Sequence, residues 1–337
     1  MTNNKAMKIL VTGGAGTIGS NLVQNLAREG YNITVADNLW RGKIANLYYG
    51  VEPVIDLKTN FLNLDLTDYK NCLKATKDVD MVIHLADIVA GINYVFDNQW
   101  TVFHKNMLIN TNTLAAAIAN NVEKYLYVGT ACSYPMELQS EIGGRPLREE
   151  DAYPANPESS YGWSKLMGEY ECTLAEREEK IQVAILRLHN VYGSPCEFDG
   201  VLSQVIPALC RKAICFPAEP FVVWGSGQQR RAFLFVSDVV DVIVRAMKNG
   251  FGKGVIQISP ESSTSIKEIS EQIVTFSGKD IAIEYDISKP EGDKDRVGDS
   301  TRASELLGWS PSVDLKTGLC KTYHWIEGQI ISRNKSG

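Results

Sequence analysis

Apolar residues in the first half of the chain fall into short, nearly continuous runs separated by longer stretches of mixed polarity. Lys8-Ile9-Leu10-Val11-Thr12, Asn32-Ile33-Thr34-Val35-Ala36, Met81-Val82-Ile83-His84-Leu85 and Tyr125-Leu126-Tyr127-Val128 are four such runs. Runs of this length read as strands buried on both faces, as parallel strands are. Residues 20–29, 69–76 and 106–120 carry the helical pattern between them. This alternation predicts an α/β fold: a Rossmann-type, doubly wound parallel sheet with right-handed crossovers. Val183-Ala184-Ile185-Leu186-Arg187-Leu188 adds a further strand.

The rhythm breaks after Gly193. Residues 194–232, richer in Pro, Gly and Phe, are expected to run over the open side of the sheet. Residues 233–236 and 239–248 are expected to return to it as a strand and a helix. A smaller region follows from Ser259 and ends in a helix over 317–332. The expected division is a sheet domain over 1–188, completed by about 233–258, and a smaller, discontinuous region over 189–232 and 259–337. There is no internal repeat and no low-complexity segment.

The first strand runs straight into Thr12-Gly13-Gly14-Ala15-Gly16-Thr17-Ile18-Gly19. Gly14-x-Gly16-x-x-Gly19 between a strand and a helix is the dinucleotide fingerprint: glycines permit the tight turn, and the helix N-terminus faces the pyrophosphate. The second strand ends at Asp37, within the window of roughly 20 residues where an acid accepts from the ribose hydroxyls. A carboxylate there repels a 2′-phosphate and favours NAD over NADP, although Arg41 nearby could accommodate one.

Tyr161-Gly162-Trp163-Ser164-Lys165 gives that dinucleotide a use. Residues four apart share a helix face, so Lys165 can lie beside both the Tyr161 phenol and the cofactor ribose. A nearby cation is expected to lower the tyrosine pKa and prepare it to take a proton from a hydroxyl.

Composition excludes several classes. The 337 residues are 44% hydrophobic and 22% charged with net charge −6, an ordinary globular balance without a nucleic-acid surface. No apolar run reaches the roughly 20 residues of a membrane span. Met1 to Met7 lack a signal-peptide core and are expected to be a short disordered tail. Seven irregularly spaced cysteines and four scattered histidines offer no zinc pattern. They imply reduced thiols, a cytoplasmic protein and no metal site.

Taken with Gly13-x-x-Gly16-x-x-Gly19, these features make nearly the whole chain resemble the extended short-chain dehydrogenase/reductases, and among them the nucleotide-sugar epimerases. The GDP-mannose 3,5-epimerase branch is similar over Gly129-Thr130-Ala131-Cys132-Ser133-Tyr134-Pro135, Arg187-Leu188-His189-Asn190-Val191-Tyr192-Gly193, Cys210-Arg211-Lys212, Trp224-Gly225-Ser226-Gly227-Gln228-Gln229-Arg230-Arg231 and Thr322-Tyr323-His324-Trp325-Ile326. The GDP-fucose synthase branch is similar around the cysteine motif.

The resemblance implies an NAD-dependent enzyme that oxidises C4 of a nucleotide sugar, with GDP-linked sugars favoured. Tyr161 would be the base, Thr130 its hydroxyl partner and Lys165 the electrostatic support. Cys132 would deprotonate carbon beside the resulting ketone. Thr17, Ile18, Asn38, Asp65, Leu66, Leu85, Ala86 and Asn106 would join the glycines and Asp37 around NAD. Gly91, Asn190, Gln204, Lys212, Arg231 and Arg296 would line the substrate, the basic groups and Asn190 holding its diphosphate. A homodimer is also implied.

One position departs from the pattern. The partner acid of these branches is a lysine or a histidine, and ungapped counting puts Gln204 there. An amide cannot serve, which leaves His189, Glu197, Asp199 or water. The alternatives are a 4-epimerase, a 4-oxidase or a 4,6-dehydratase of the same fold. The last is disfavoured by Ala131-Cys132 after Thr130. A non-catalytic NAD-binding regulator would have no need of Thr130, Tyr161 and Lys165.

Overall fold

The computed structural model describes residues 7–336 of the chain, so the expected tail, Met7 apart, lies outside it. Seven strands form the central sheet: β1 Lys8–Thr12, β2 Asn32–Asp37, β3 Phe61–Asn63, β4 Met81–His84, β5 Lys124–Thr130, β6 Gln182–Leu188 and β7 Val255–Ile258. All neighbouring pairs are parallel. The order 3-2-1-4-5-6-7 reverses direction between β1 and β4, and the crevice above such a switch point is where open α/β sheets bind ligands.

Alternate residues of each strand feed two cores. Val11, Ile83, Leu126 and Leu186 face helices α1 (Thr17–Arg28) and α7 (Val236–Asn249). Leu10, Val82, Tyr125 and Val183 face α2 (Tyr69–Ala75), α4 (Gln99–Ala119) and α5 (Ser160–Arg177). A short α3 (Ile92–Asp97) precedes α4. A third core, with Ile206, Leu209, Ile269, Ile273, Leu319 and Tyr323, joins α6 (Val205–Cys215), α8 (Ile266–Ser277) and α10 (Leu315–Ser336) into the second lobe. A short α9 (Thr301–Leu307) packs near α7.

The strand expected over 233–236 does not return to the main sheet. Phe233–Phe235 pairs in parallel with Asn190–Tyr192 as a separate two-stranded ribbon at the base of the second lobe. Helix α4 starts at Gln99 rather than residue 106. Trp100 is 75% exposed there and stacks on His104.

Two features fix α5 against the sheet. Ser159 Oγ caps it by accepting from the Gly162 N–H at 3.2 Å. A Cβ added at Gly162 would collide with the Cys132 carbonyl, so only glycine lets α5 come this close to the turn after β5. Deeper in, Arg187 of β6 forms a buried two-pronged pair with Glu169 of α5 at 2.6 and 3.2 Å. The same guanidinium lies 4.7 Å from the centre of the Tyr134 ring.

Candidate active site

A cavity of about 660 Å³ opens at the switch point and runs from the glycine loop to the second lobe. Helix α1 begins at Gly16 with no side-chain cap and no acidic residue in its first turn. Its leading amides are therefore available to an anion where the loop meets the cavity. Gly13 takes φ +66, and a Cβ there would meet the backbone of Leu85 and Ala86. Thr17, Ile18, Asn38, Asp65, Leu66, Leu85 and Ala86 also line the cavity. At the end of β2, Asp37 accepts from the Ala15 and Leu39 N–H groups at 2.9 and 2.8 Å. Burial raises its pKa, partly offset by those two bonds. This cradle of glycines, free helix amides and a ribose-height acid fits a dinucleotide.

Arg41 does not turn toward Asp37. Its Nη1 donates to the Val89 carbonyl at 3.0 Å, and desolvation lowers its pKa. Asn106 is also not a wall residue. It is fully buried behind the wall, where its amide accepts from the Ile88 N–H at 2.6 Å and donates to the Ile88 carbonyl at 3.2 Å.

At the other end of the cavity Thr130, Cys132, Tyr161 and Lys165 come together. Thr130 Oγ1 accepts from the Cys132 N–H at 3.3 Å, so the hydroxyl caps the turn that carries the thiol. Arg296 Nη1 donates to Cys132 Sγ at 3.1 Å. Arg296 is itself oriented by Gln139 and Asp293. Arg231, a second guanidinium interacting with Cys132, donates to the carbonyls of Arg230, Asp293 and Glu291, and burial holds its pKa at about 10. Arg296 thus lies against the thiol, where the sequence had assigned it to the diphosphate.

The tyrosine departs from expectation. Its hydroxyl donates to Asp87 Oδ2 at 3.1 Å, and that same oxygen is 3.5 Å from Lys165 Nζ. Desolvation first, then the Asp87 charge, push the Tyr161 phenol well above the usual tyrosine range. The cation effect expected of Lys165 is intercepted by a carboxylate. Asp87 was missed in the sequence, although it stands three residues beyond His84, the last residue of β4, at the sheet's switch point.

Gly91, Asn190, Gln204 and Lys212 line the cavity toward the second lobe. Gly91 packs beneath the Ser203 carbonyl, and Gln204 precedes α6 without a side-chain cap bond. Lys212 donates to the Val222 carbonyl and lies 5.8 Å from the Trp224 ring centre. The stand-ins for a partner acid are committed elsewhere. Glu197 pairs with Lys43 at 2.9 Å and Asp199 with Arg333 at 2.5 Å. His189 is buried beside Gln257, and burial depresses its pKa to about 3, so it is neutral at pH 7.

Known proteins bear on the same features. Residues 9–259 match the family model described as "NAD dependent epimerase/dehydratase family". The chain is 33% identical over 331 residues to GDP-mannose 3,5-epimerase of Arabidopsis thaliana, covering 98% of this chain and 85% of that one. It is 32% identical to a putative UDP-glucose 4-epimerase of Methanocaldococcus jannaschii, covering 95% and 98%. Among solved structures, UDP-glucose 4-epimerase of Thermotoga maritima with UDP-glucose superimposes with a TM-score of 0.85 at 26% identity, covering 96% of this chain and all of that one.

Proposed function

Because the chain belongs to the NAD-dependent epimerase/dehydratase family, we propose that it is a nucleotide-sugar epimerase working through a transient 4-keto sugar, with a GDP-linked hexose as substrate. The carrying observation is Cys132: a thiol held at 3.1 Å by Arg296, in one cavity with Thr130, Tyr161 and Lys165. Hydride transfer at C4 needs no thiol. A ketone at C4 acidifies the hydrogens on C3 and C5, and a sulfur base can then remove one of them.

NAD, when bound, supplies reversible hydride acceptance. The glycine loop and the first amides of α1 would hold its pyrophosphate and Asp37 its ribose, while Lys165 and Tyr161 stand at the reacting end. Thr130 and Tyr161 orient and deprotonate the sugar hydroxyl. Lys212, Arg231 and Asn190 line the path of the nucleotide diphosphate.

A dimer goes with this reading. Trp100 on α4 and Tyr170 on α5 are exposed, and Phe103, Met107 and Trp163 at helical spacing from them are partly exposed, so both helices carry apolar side chains that do not line the cavity. No helix among the described residues is long and apolar enough to cross a membrane.

The 4-epimerase reading has one observation of its own. Gln204 cannot act as an acid, and of the other candidates Glu197 and Asp199 are held in ion pairs while His189 is buried and neutral. Incubation with GDP-, UDP- and dTDP-sugars, with products identified by NMR, decides between them. New GDP-sugars inverted at C3 or C5 support the proposal; inversion confined to C4 overturns it in favour of the alternative.

A further inference from the structure

Inverting a carbon beside a ketone needs two proton carriers: one removes the hydrogen, and the other returns one from the opposite face. Cys132 can be the first, and the amide of Gln204 cannot be the second. Among the described residues, six acidic ones line the cavity. Five are engaged. Asp37 accepts from the Ala15 and Leu39 amides, Asp65 from the Thr67 amide and hydroxyl, and Asp87 from the Tyr161 hydroxyl. Glu197 pairs with Lys43, and Glu291 accepts from the Ser226 amide. Glu158 alone accepts no hydrogen bond and joins no ion pair among the described residues.

The chain brings this carboxyl group to the end of the cavity that carries Cys132. Ser159, the cap of α5, follows it, and Pro157 before it packs against Gly162 together with the Cys132 carbonyl. Glu158 Oε2 and Arg231 Nη2 converge over Gly292: a Cβ added there would meet them at 3.5 and 3.2 Å, and Ile92 at 3.0 Å. Gly91, next to Ile92, lies beneath the carbonyl of Ser203, the neighbour of Gln204. Glu158 thus borders the part of the cavity where an acid at position 204 would stand. Arg231 links the two carriers, since the charges of both Cys132 and Glu158 act on it.

We propose that Glu158 is the second proton carrier, working with Cys132 from opposite faces of the carbon that is inverted. The inference rests on the proposed 4-keto intermediate. Cys132 Sγ takes the proton from C3 or C5 and becomes the thiol, while the C–H electron pair moves into an enolate with the C4 oxygen. Glu158, as the carboxylic acid, gives its proton to the same carbon from the other face, and the enolate electrons form the new C–H bond. The ketone is restored, leaving a thiol and a carboxylate that proton exchange with water resets. Starting from the inverted sugar, the two residues swap roles.

Turnover of GDP-mannose in D₂O, followed by NMR, separates exchange from inversion. Wild type is expected to give inverted sugar with deuterium at the inverted carbon. Glu158→Gln keeps the shape of the side chain and removes the donor. It is expected to lower inversion by about 10²–10⁴-fold. Deuterium should still enter the uninverted sugar, because the Cys132 thiol exchanges with solvent and returns a deuteron to the face it came from. That continued exchange also reports a folded, sugar-binding variant. Inversion within about tenfold of wild type in Glu158→Gln, or loss of exchange together with inversion, overturns the proposal. A wild type that places no deuterium at C3 or C5 overturns the 4-keto epimerase reading and this inference with it. Wild-type exchange and inversion that do not depend on Glu158 overturn this inference alone, so the two failures are distinguishable.

Discussion

Mild acid is expected to destabilise this protein through two histidines buried without charge. His84 is fully buried in β4. Its Nε2–H donates to Asn110 Oδ1 at 3.1 Å, and its Nδ1 accepts from the Thr12 hydroxyl at 2.9 Å. The Thr12 oxygen already accepts the Leu85 and Ala86 N–H groups, so a proton on Nδ1 would meet another donor. His189 donates Nε2–H to Gln257, and its Nδ1 has no partner among the described residues. Burial, aided by Lys165 for the first and by Arg296 and Arg187 for the second, lowers both pKa values from 6.5 to about 3.

The sign follows from proton counting. Below about 6.5 the unfolded chain protonates these imidazoles and the folded one does not, so stability falls as pH falls. Between about pH 7 and about pH 5 each histidine costs about 2 kcal/mol, or about 4 kcal/mol for the pair. The carboxylates with lowered pKa, such as Asp151 and Asp299, lose their contribution only at lower pH, below their ordinary 3.8. Urea unfolding at the two pH values, followed by circular dichroism, measures the difference. A midpoint that stays fixed or rises toward pH 5 at constant slope refutes the burial of neutral histidine.

Three further outcomes are expected. Tyr161→Phe lowers turnover by about 10²–10⁴-fold while nucleotide-sugar binding, measured by calorimetry, persists; a loss under about tenfold removes Tyr161 from the base. NAD binds more tightly than NADP, because Asp37 presents a carboxylate to the ribose and Arg41 is turned away; equal affinities in calorimetric titration would contradict this. Glu169→Ala leaves the Arg187 guanidinium buried and unpaired, and denaturant unfolding should report a loss of about 3–5 kcal/mol. A loss below about 1 kcal/mol would show that Arg187 finds water instead.

Five of the seven strands were legible, because parallel strands bury both faces and so write themselves as continuous apolar runs; β3 Phe61–Asn63 and β7 Val255–Ile258 are too short to stand out as such runs. The β1 bounds agree to the residue, and β2 differs only by Asp37. Phe233–Phe235 looked equally like a sheet strand, but its partner Asn190–Tyr192 is set by long-range packing that no local pattern records. The start of α4 was hidden because Gln99, Trp100, His104 and Lys105 are exposed and give no buried stripe. At the site, the glycine loop, Asp37 and the Tyr161/Lys165 pair were legible through characteristic spacing along the sequence. Asp87 and the Arg296–Cys132 contact were not, since each joins residues far apart in sequence. Asn106 stood at a plausible helical position, and only its depth behind Ile88 shows that it braces the wall.

The central claim is that Cys132 removes a carbon-bound proton next to a transient C4 ketone, and solvent deuterium reports that event directly. With GDP-mannose in D₂O, wild-type protein is predicted to place deuterium at C3 or C5. Cys132→Ser is predicted to lose that label while still forming cofactor absorbance characteristic of reduction when sugar is added. Turnover of the sugar with no deuterium at either carbon, unchanged by Cys132→Ser, would contradict the account.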